Sequence, residues 1–368
     1  MDLLTLGWDD HFEHNFKLLV STLPENKNLL PGRVAAVHLS LVRVLTEPGE
    51  LELAVSGKLR DKIALNDLPE KWLTGIPAVG DWVVFDHDPA NRSGTIKAIL
   101  PRKNCFTRNR AGTLTEQQAM AANIDAVFIV GVLNDKLNFS RLERYLVSAR
   151  NCGARPVIVL NKSDLCPDPA EKQKEAEQAA NGIPVAVISA GLDRGLEKLW
   201  EYLPEGGTCV FVGSSGVGKS TIINRLTGTD SLATGELSDY KDQGRHITSS
   251  RNLFLLPNKR MVIDTPGLRE MQLWAGGDGL SQTFEDIENL ARSCRFNDCR
   301  HAGEPGCAVK SAIESGILNP SRYKSYQKMH RELAAHKKRQ AMKNKITEHR
   351  SSQKKTRNGQ RRETLEEE

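Results

Sequence analysis

The residues best suited to chemistry lie in Thr208–Thr221, TCVFVGSSGVGKST. Gly213-Ser214-Ser215-Gly216-Val217-Gly218-Lys219-Ser220 fits the pattern G-x-x-x-x-G-K-[ST]. The apolar run Cys209–Val212 before it favours a strand, and Thr221–Leu226 after it has a helical pattern. Strand, glycine-rich loop and helix stand in the order that a phosphate-binding loop requires. The glycines let backbone N–H groups close on phosphate oxygens, and the helix start adds partial positive charge there. Nucleotide contacts are expected from Gly213, Ser214, Ser215, Gly216, Val217, Gly218, Lys219, Ser220 and Thr221. Lys219 would reach the β- and γ-phosphates, and the Ser220 hydroxyl would meet Mg²⁺.

The base is chosen elsewhere. Asn161-Lys162-Ser163-Asp164 follows the apolar run Pro156–Leu160. Guanine presents two N–H donors side by side, which one acceptor-only carboxylate such as Asp164 can take together, whereas adenine has no such pair. Asn161 would bond the base and hold the loop, and the Lys162 stem would cover a ring face. Asp264-Thr265-Pro266-Gly267 follows Met261–Ile263. Asp264 would hold Mg²⁺, and the Gly267 N–H would sense the γ-phosphate. These segments resemble the G1, G4 and G3 motifs of GTPases, and Ser189-Ala190 resembles the G5 loop over the base. Their order is rearranged: 161 and 189 precede 213, and 264 comes last. The chain reads as a circular permutation, tolerable because the loops gather on one edge of a doubly wound sheet whatever strand comes first.

Between the phosphate loop and Asp264 lies a long polar segment, Thr229–Ser250, where the first switch loop belongs. Thr248 is the candidate switch threonine for Mg²⁺ and the γ-phosphate, with Ser249 and Ser250 as neighbouring registers. Many GTPases place a glutamine directly after the D-x-x-G glycine to orient water. Here Leu268 stands there and cannot. His246 is the nearest replacement, either positioning and deprotonating water or contacting nucleotide or a partner without chemistry.

A second constellation follows. Cys294, Cys299, His301 and Cys307 give C-x4-C-x-H-x5-C, four ligands with the character of a closed tetrahedral Zn²⁺ site, structural because no position is left for water. Gly303 and Gly306 supply tight turns. Cys105, Cys152, Cys166 and Cys209 are scattered and read as small buried hydrophobes.

The elements that must position these residues are multidomain α/β. Residues 1–30 form an amphipathic arm in which Trp8, Phe12 and Phe16 have helical spacing, a packing pattern. From 31 to 101 the period is two, with alternation at Val37, Leu39 and Leu41 and again at Leu51, Leu53 and Val55. This predicts a small Greek-key barrel of OB type, serving either oligonucleotides or domain docking. Residues 102–118, with Arg102, Lys103, Arg108 and Arg110, read as a polar linker, either a basic contact or a solvated one. Residues 119–275 alternate strand and helix, predicting a mostly parallel sheet covered on both faces. Residues 276–330 carry the metal motif, with helices predicted over 308–318 and 320–339, and 331–368 form a basic tail.

The 368-residue chain has a net charge of +5. Eleven Lys/Arg against one acid between Lys337 and Arg362 make that segment +10, so the remainder carries −5. Such a tail suits phosphate backbones, and with the barrel and metal knuckle it points to RNA. No apolar run reaches the ~18 residues of a membrane span, and the acidic N-terminus lacks a signal-peptide pattern. A cytoplasmic monomer is expected.

Assembled, the OB-like barrel, the permuted NKSD, GSSGVGKS and DTPG order, the switch sequence GRHIT and the knuckle CRFNDCRHAGEPGC resemble the ribosome small-subunit-dependent GTPase A family (RsgA, also YjeQ or YloQ) over about residues 31–325. The resemblance implies a bacterial GTPase acting late in 30S maturation. Its GTP form would bind 16S rRNA near the decoding region, and hydrolysis stimulated by the subunit would release it. The family's catalytic histidine falls on His246. Where the family often carries consecutive threonines after it, this chain has Ile247-Thr248-Ser249-Ser250. A rival reading is an RNA-binding assembly factor that uses GTP and GDP only as conformational ligands.

Overall fold

The computed structural model describes residues 1–21, 28–38, 41–57, 59, 76–88, 93–109, 117–134, 139–228, 251–264, 278–339, 341–342 and 345. The chain divides into two compact units: Met1–Arg108 with Gln118–Gln272, and Asn109–Gln117 with Leu273–Glu368.

In the first unit, strands β1 (Leu29–Val37), β2 (Leu41–Thr46), β3 (Gly49–Val55), β4 (Trp82–Asp88) and β5 (Ser93–Ile99) run in the order β1-β2-β3-β5-β4. A β1–β4 pairing closes them into a barrel. The β3–β5 pair is parallel and the others antiparallel, the Greek-key connectivity of an OB barrel. Val34, Val44, Leu53, Val83, Phe85 and Ile96 fill the interior. One expectation fails locally. The alternation read through Val37–Leu41 joins two strands rather than one: β1 ends at Val37, β2 begins at Leu41, and the His38 N–H donates to the Leu41 carbonyl at 2.9 Å, while Leu39 and Ser40 lie outside the described residues. No Gly, Pro or Asn lies between the two strands, so the sequence period runs through the break.

Strands β6 (Cys105–Asn109) and β7 (Gln117–Ala122) pair as a ribbon, so the segment read as a polar linker is partly strand. Two of its cations are structural. Arg102 grips the buried Asp81 carboxylate with two bonds of 2.6 Å, and Lys103 pairs with Asp9. The side chains of Arg108 and Arg110 lie outside the described residues.

Strands β8 (Ala126–Val132), β9 (Arg155–Asn161), β10 (Val185–Val187), β11 (Thr208–Gly213), β12 (Asn252–Leu255) and β13 (Met261–Asp264) follow in the order β10-β9-β8-β11-β13-β12. All these pairs are parallel except β12–β13. Successive residues feed opposite faces. Val127, Ile129, Val210 and Val212 join one core with Leu142, Leu146 and Ala176. Ala126, Phe128, Cys209 and Phe211 join the other with Ile222, Ile223 and Leu226. Helices Phe139–Cys152 and Pro169–Ala179 therefore cover one face, and Lys219–Thr227 the other: the doubly wound sheet read from the sequence.

Barrel and sheet share a core. Trp8 and Phe12 pack on Trp82 with ring centroids 4.6 and 5.7 Å apart, the packing role expected of the arm. Arg33 of β1 is 2% exposed. It donates to the carbonyls of Leu6, Gly80 and Asn123 and to Thr208 Oγ1 on β11. Burial draws its pKa down to about 10, with Asp125 and Asp81 opposing, so it stays charged at neutral pH. A buried cation satisfied by four acceptors fixes one arrangement of arm, barrel and sheet.

Among the scattered cysteines Cys209 is fully buried, while Cys105, Cys152 and Cys166 are half-buried. Burial pushes Cys105 up to about 11 and holds Cys152 and Cys209 well above the ordinary thiol value, so these three are inert thiols at neutral pH. Among the described residues no helix is long and apolar enough to cross a membrane.

Candidate functional site

The chain runs β8, β9, β10 outward on one side of β8, then returns to its other side with β11. That reversal makes a crevice at the carboxyl ends of the strands, the place where open α/β sheets bind ligands. Three loops meet there. Gly213–Gly218 joins β11 to helix Lys219–Thr227, residues 162–164 follow β9, and Ser189-Ala190 follows β10.

The phosphate-type loop is built for close approach. Gly213 has φ +148°, and a Cβ there would lie 2.4 Å from the Val130 carbonyl oxygen. Gly218 has φ +99°, and its Cβ would lie 2.3 Å from Asn161 Nδ2. Only glycine meets both demands. Lys219 Nζ folds over the concavity, donating to the carbonyls of Gly213 at 2.9 Å and Ser214 at 2.6 Å. Ser214 also accepts at 2.8 Å from Arg141, which sequence reasoning missed because a lone arginine on an amphipathic helix carries no signal. Val217 is buried, and Gly216 stands at φ +77° with open space at its Cβ. Ser215 is exposed, while Ser220 and Thr221 open the helix.

Asn161 ties the loops together. It is 2% exposed, with Nδ2 donating to the Val217 carbonyl at 2.9 Å and Oδ1 accepting from the Ala190 N–H at 3.0 Å. Lys162 takes a left-handed conformation, φ 64°, turning the chain out of β9. The Ser163 N–H returns to the Ile188 carbonyl at 3.1 Å. Asp164 is exposed, and the buried Ser189 hydroxyl donates to its Oδ1. Asp164 is therefore aimed by Ser189, and the phosphate-type loop is braced by Asn161, although 52 residues separate Asn161 from Gly213. Asp264 ends β13, beside β11. His246, Thr248 and Gly267 lie outside the described residues.

The second unit holds the other constellation. Helices Gly279–Thr283, Glu285–Arg292 and Ala308–Glu314, with a helix over 320–339, enclose Phe284, Ile287, Val309, Ala312 and Met329. Arg322 clamps Asp286 at 2.8 and 2.9 Å and lies 4.8 Å over the Phe284 ring. The ligand atoms of Cys294, Cys299, His301 and Cys307 lie within 4.8 Å of one another. His301 Nδ1 is 3.5 Å from Cys294 Sγ and 3.4 Å from Cys307 Sγ. Bonds of about 2.3 Å to sulfur and 2.0–2.1 Å to nitrogen give tetrahedral edges of roughly 3.6–3.8 Å, so the four residues fit a tetrahedral ion. His301 reaches in through a left-handed backbone, φ 57°, and Cys307 caps the helix Ala308–Glu314. Glu304 clasps the intervening turn. Its carboxylate accepts from the N–H groups of Arg300, Ala302 and Gly303 at 3.0, 2.8 and 3.1 Å.

Comparison with known proteins agrees with this geometry. The family model for RsgA GTPase matches residues 99–274. The small ribosomal subunit biogenesis GTPase RsgA of Opitutus terrae is 42% identical over 343 residues, 91% of this chain and 90% of that protein. RsgA 2 of Lactiplantibacillus plantarum is 44% identical over 84% of this chain and 85% of its own length. The crystal structure of YjeQ from Thermotoga maritima is similar with a TM-score of 0.60 and 29% identity, covering 83% of this chain and 99% of that one. YloQ, described as a circularly permuted GTPase, has the same fold with a TM-score of 0.57 and 24% identity, covering 86% of this chain and 98% of that one.

Proposed function

The chain belongs to the RsgA GTPase family, and from that premise we propose that it binds and hydrolyses GTP at the β11 loop, acting in the biogenesis of the small ribosomal subunit. The observation that carries the reading is the meeting of three loops at one sheet edge, held by Asn161, in spite of their permuted order along the chain.

The residues divide the work. Backbone N–H groups of Gly213–Ser220 cradle the α- and β-phosphates, and Lys219 turns from its two carbonyls to the β- and γ-phosphates. Asp164, aimed by Ser189, takes the two guanine donors, with Lys162 and Ala190 beside the base. Ser220, Asp264 and Thr248 would hold Mg²⁺, which when bound neutralises charge on the β- and γ-phosphates. Gly267 senses the γ-phosphate, and His246 positions water against it. Loss of that phosphate frees both of its contacts, so the two segments relax and the affinity for the subunit falls. The partners are the 30S subunit through 16S rRNA, bound by a cytoplasmic monomer. The OB barrel and the basic tail are the surfaces for RNA.

Hydrolysis assayed against added 30S, 50S and 70S particles tests this reading. Turnover should rise with 30S alone, GDP should compete and ADP should not, and Asp164→Asn should admit other bases. Equal rates with and without 30S would remove the ribosomal part. Equal competition by ADP would remove the guanine part.

Cys294, Cys299, His301 and Cys307 hold one structural Zn²⁺, with Glu304 keeping their loop in shape. Its own N–H and those of Ala302 and Arg300 hold the Glu304 carboxyl down at about 2, against an ordinary 4.5. A depressed acid contributes above its unfolded value and loses that contribution as pH falls through the folded one. At pH 7 the contribution is complete. Glu304→Gln should therefore give up zinc to a chelator about tenfold faster there. Its difference from wild type in the metal-free unit should close between pH 4.5 and about 2. Equal zinc release at pH 7 would show the clasp to be idle.

A further inference from the structure

One row of residues crosses the first unit at right angles to its strands. Arg43 of β2 stands opposite Ala36 of β1, Ala36 opposite Asn252 of β12, and Asn252 opposite Asp264 of β13. The Ala36–Asn252 pair is the one register pair through which barrel and GTPase sheet become continuous. Residues opposite one another in neighbouring strands present their side chains to the same face. Arg43 and Asn252 are two strands apart, roughly 9.5 Å, a span that only a long side chain crosses. Ala36 lies between them with nothing beyond a methyl, and β1 carries a bulge between Val34 and Ala36 that aims the strand locally. The Arg43 guanidinium passes over that methyl. Nη2 reaches Asn252 Oδ1 at 3.4 Å, Nη1 reaches Glu50 at 3.3 Å, and Nε is buried with no partner among the described residues. The contact is long for an N–H···O bond, so it has room to tighten.

The row ends where both proposed γ-phosphate sensors join the sheet. Asn252 is four residues after Thr248, and Asp264 three before Gly267. Resting on the function proposed above, we infer that Arg43 is a positioning residue for hydrolysis: through Ala36 and Asn252 it transmits RNA contact at the barrel to Asp264 and the start of β12. Barrel occupancy tightens the Arg43–Asn252 bond and so fixes Asn252 and, across the β12–β13 register, Asp264. Because coupling between binding sites is reciprocal, the factor by which the subunit shifts the preference for GTP over GDP is the factor by which nucleotide state shifts subunit affinity.

The test uses the full-length protein with Arg43→Ala, Asn252→Ala, the double variant and Arg43→Lys. Basal turnover and GTP affinity should match wild type. Subunit-stimulated kcat should fall about tenfold in each alanine variant, and the ratio of subunit affinities between the forms bound to a non-hydrolysable GTP analogue and to GDP should move toward one. The double variant should be no worse than either single one, since the two residues share one interaction. Arg43→Lys, which keeps a long donor, should recover part of the loss. Three results would each overturn the inference: unchanged stimulation in both single variants, losses that multiply in the double variant, or equal weakening of subunit binding in both nucleotide states with kcat intact. If subunits fail to stimulate wild type, the ribosomal reading itself has failed and the row has nothing to couple.

Discussion

Lys219→Ala should lower GTP affinity at least about a hundredfold, roughly 3 kcal/mol, and take turnover below detection. The size follows from what the ammonium does in the loop. Nζ sits on the Gly213 and Ser214 carbonyls at 2.9 and 2.6 Å. Without it, carbonyl oxygens border a site meant for phosphate oxygens. Removing the charge therefore deletes an attraction and uncovers a repulsion together. The loop itself should survive, because its shape depends on Asn161 Nδ2 at the Val217 carbonyl and on the tight fit of Gly213 and Gly218. Thermal midpoints of the free protein should accordingly stay close to wild type while nucleotide titration loses its signal. Lys219→Arg should not restore binding, since a planar fork does not replace a compact ammonium. A variant that binds within threefold of wild type and turns over GTP would remove Lys219 from the site.

The nucleotide loops were legible because their chemistry is local. G-x-x-x-x-G-K-S, NKSD and the four candidate metal ligands each declare themselves within a few residues, and the sheet periodicity around the first two places them at strand ends. The knuckle went further: its spacing alone predicted four ligand atoms close enough to share one ion, and the structure has them within 4.8 Å. Asn161 was half legible. Its motif suggested a hold on the loop, but the double bond to Val217 and Ala190 needs three strand ends at once.

What stayed hidden depends on distant partners. Arg33 looks like an ordinary surface charge in LLPGRVAAV, yet its acceptors lie 27, 47, 90 and 175 positions away. Arg102 and Lys103 read as part of a basic contact or a solvated linker, whereas Asp81 and Asp9 claim them. The Arg43–Asn252 contact spans 209 positions and depends on a small residue, Ala36, whose importance lies in what it lacks. A sequence states which residues carry charge. Which of them the fold withdraws from solvent is settled by register, and one misplaced strand end, as between β1 and β2, changes every cross-strand partner downstream.

His246→Ala should leave GTP affinity unchanged while subunit-stimulated kcat drops roughly 10²–10³-fold. The reason is a missing group. Leu268 follows the D-x-x-G glycine, where many GTPases place the glutamine that orients water, and a leucine offers neither donor nor acceptor. Another side chain must hold that water, and His246 lies in the segment leading to β12. A neutral imidazole can accept a proton from that water. If the imidazole takes the proton, stimulated turnover of wild type should rise with pH, and the residual turnover of the variant should be flat. His246→Gln separates two roles. A glutamine can orient water but cannot take its proton, so substantial recovery with a flat profile would assign positioning, and no recovery would assign proton transfer. If His246→Ala were stimulated as strongly as wild type, with the same pH profile, the chain would supply no water-directing group at this position, and the group would have to come from the subunit.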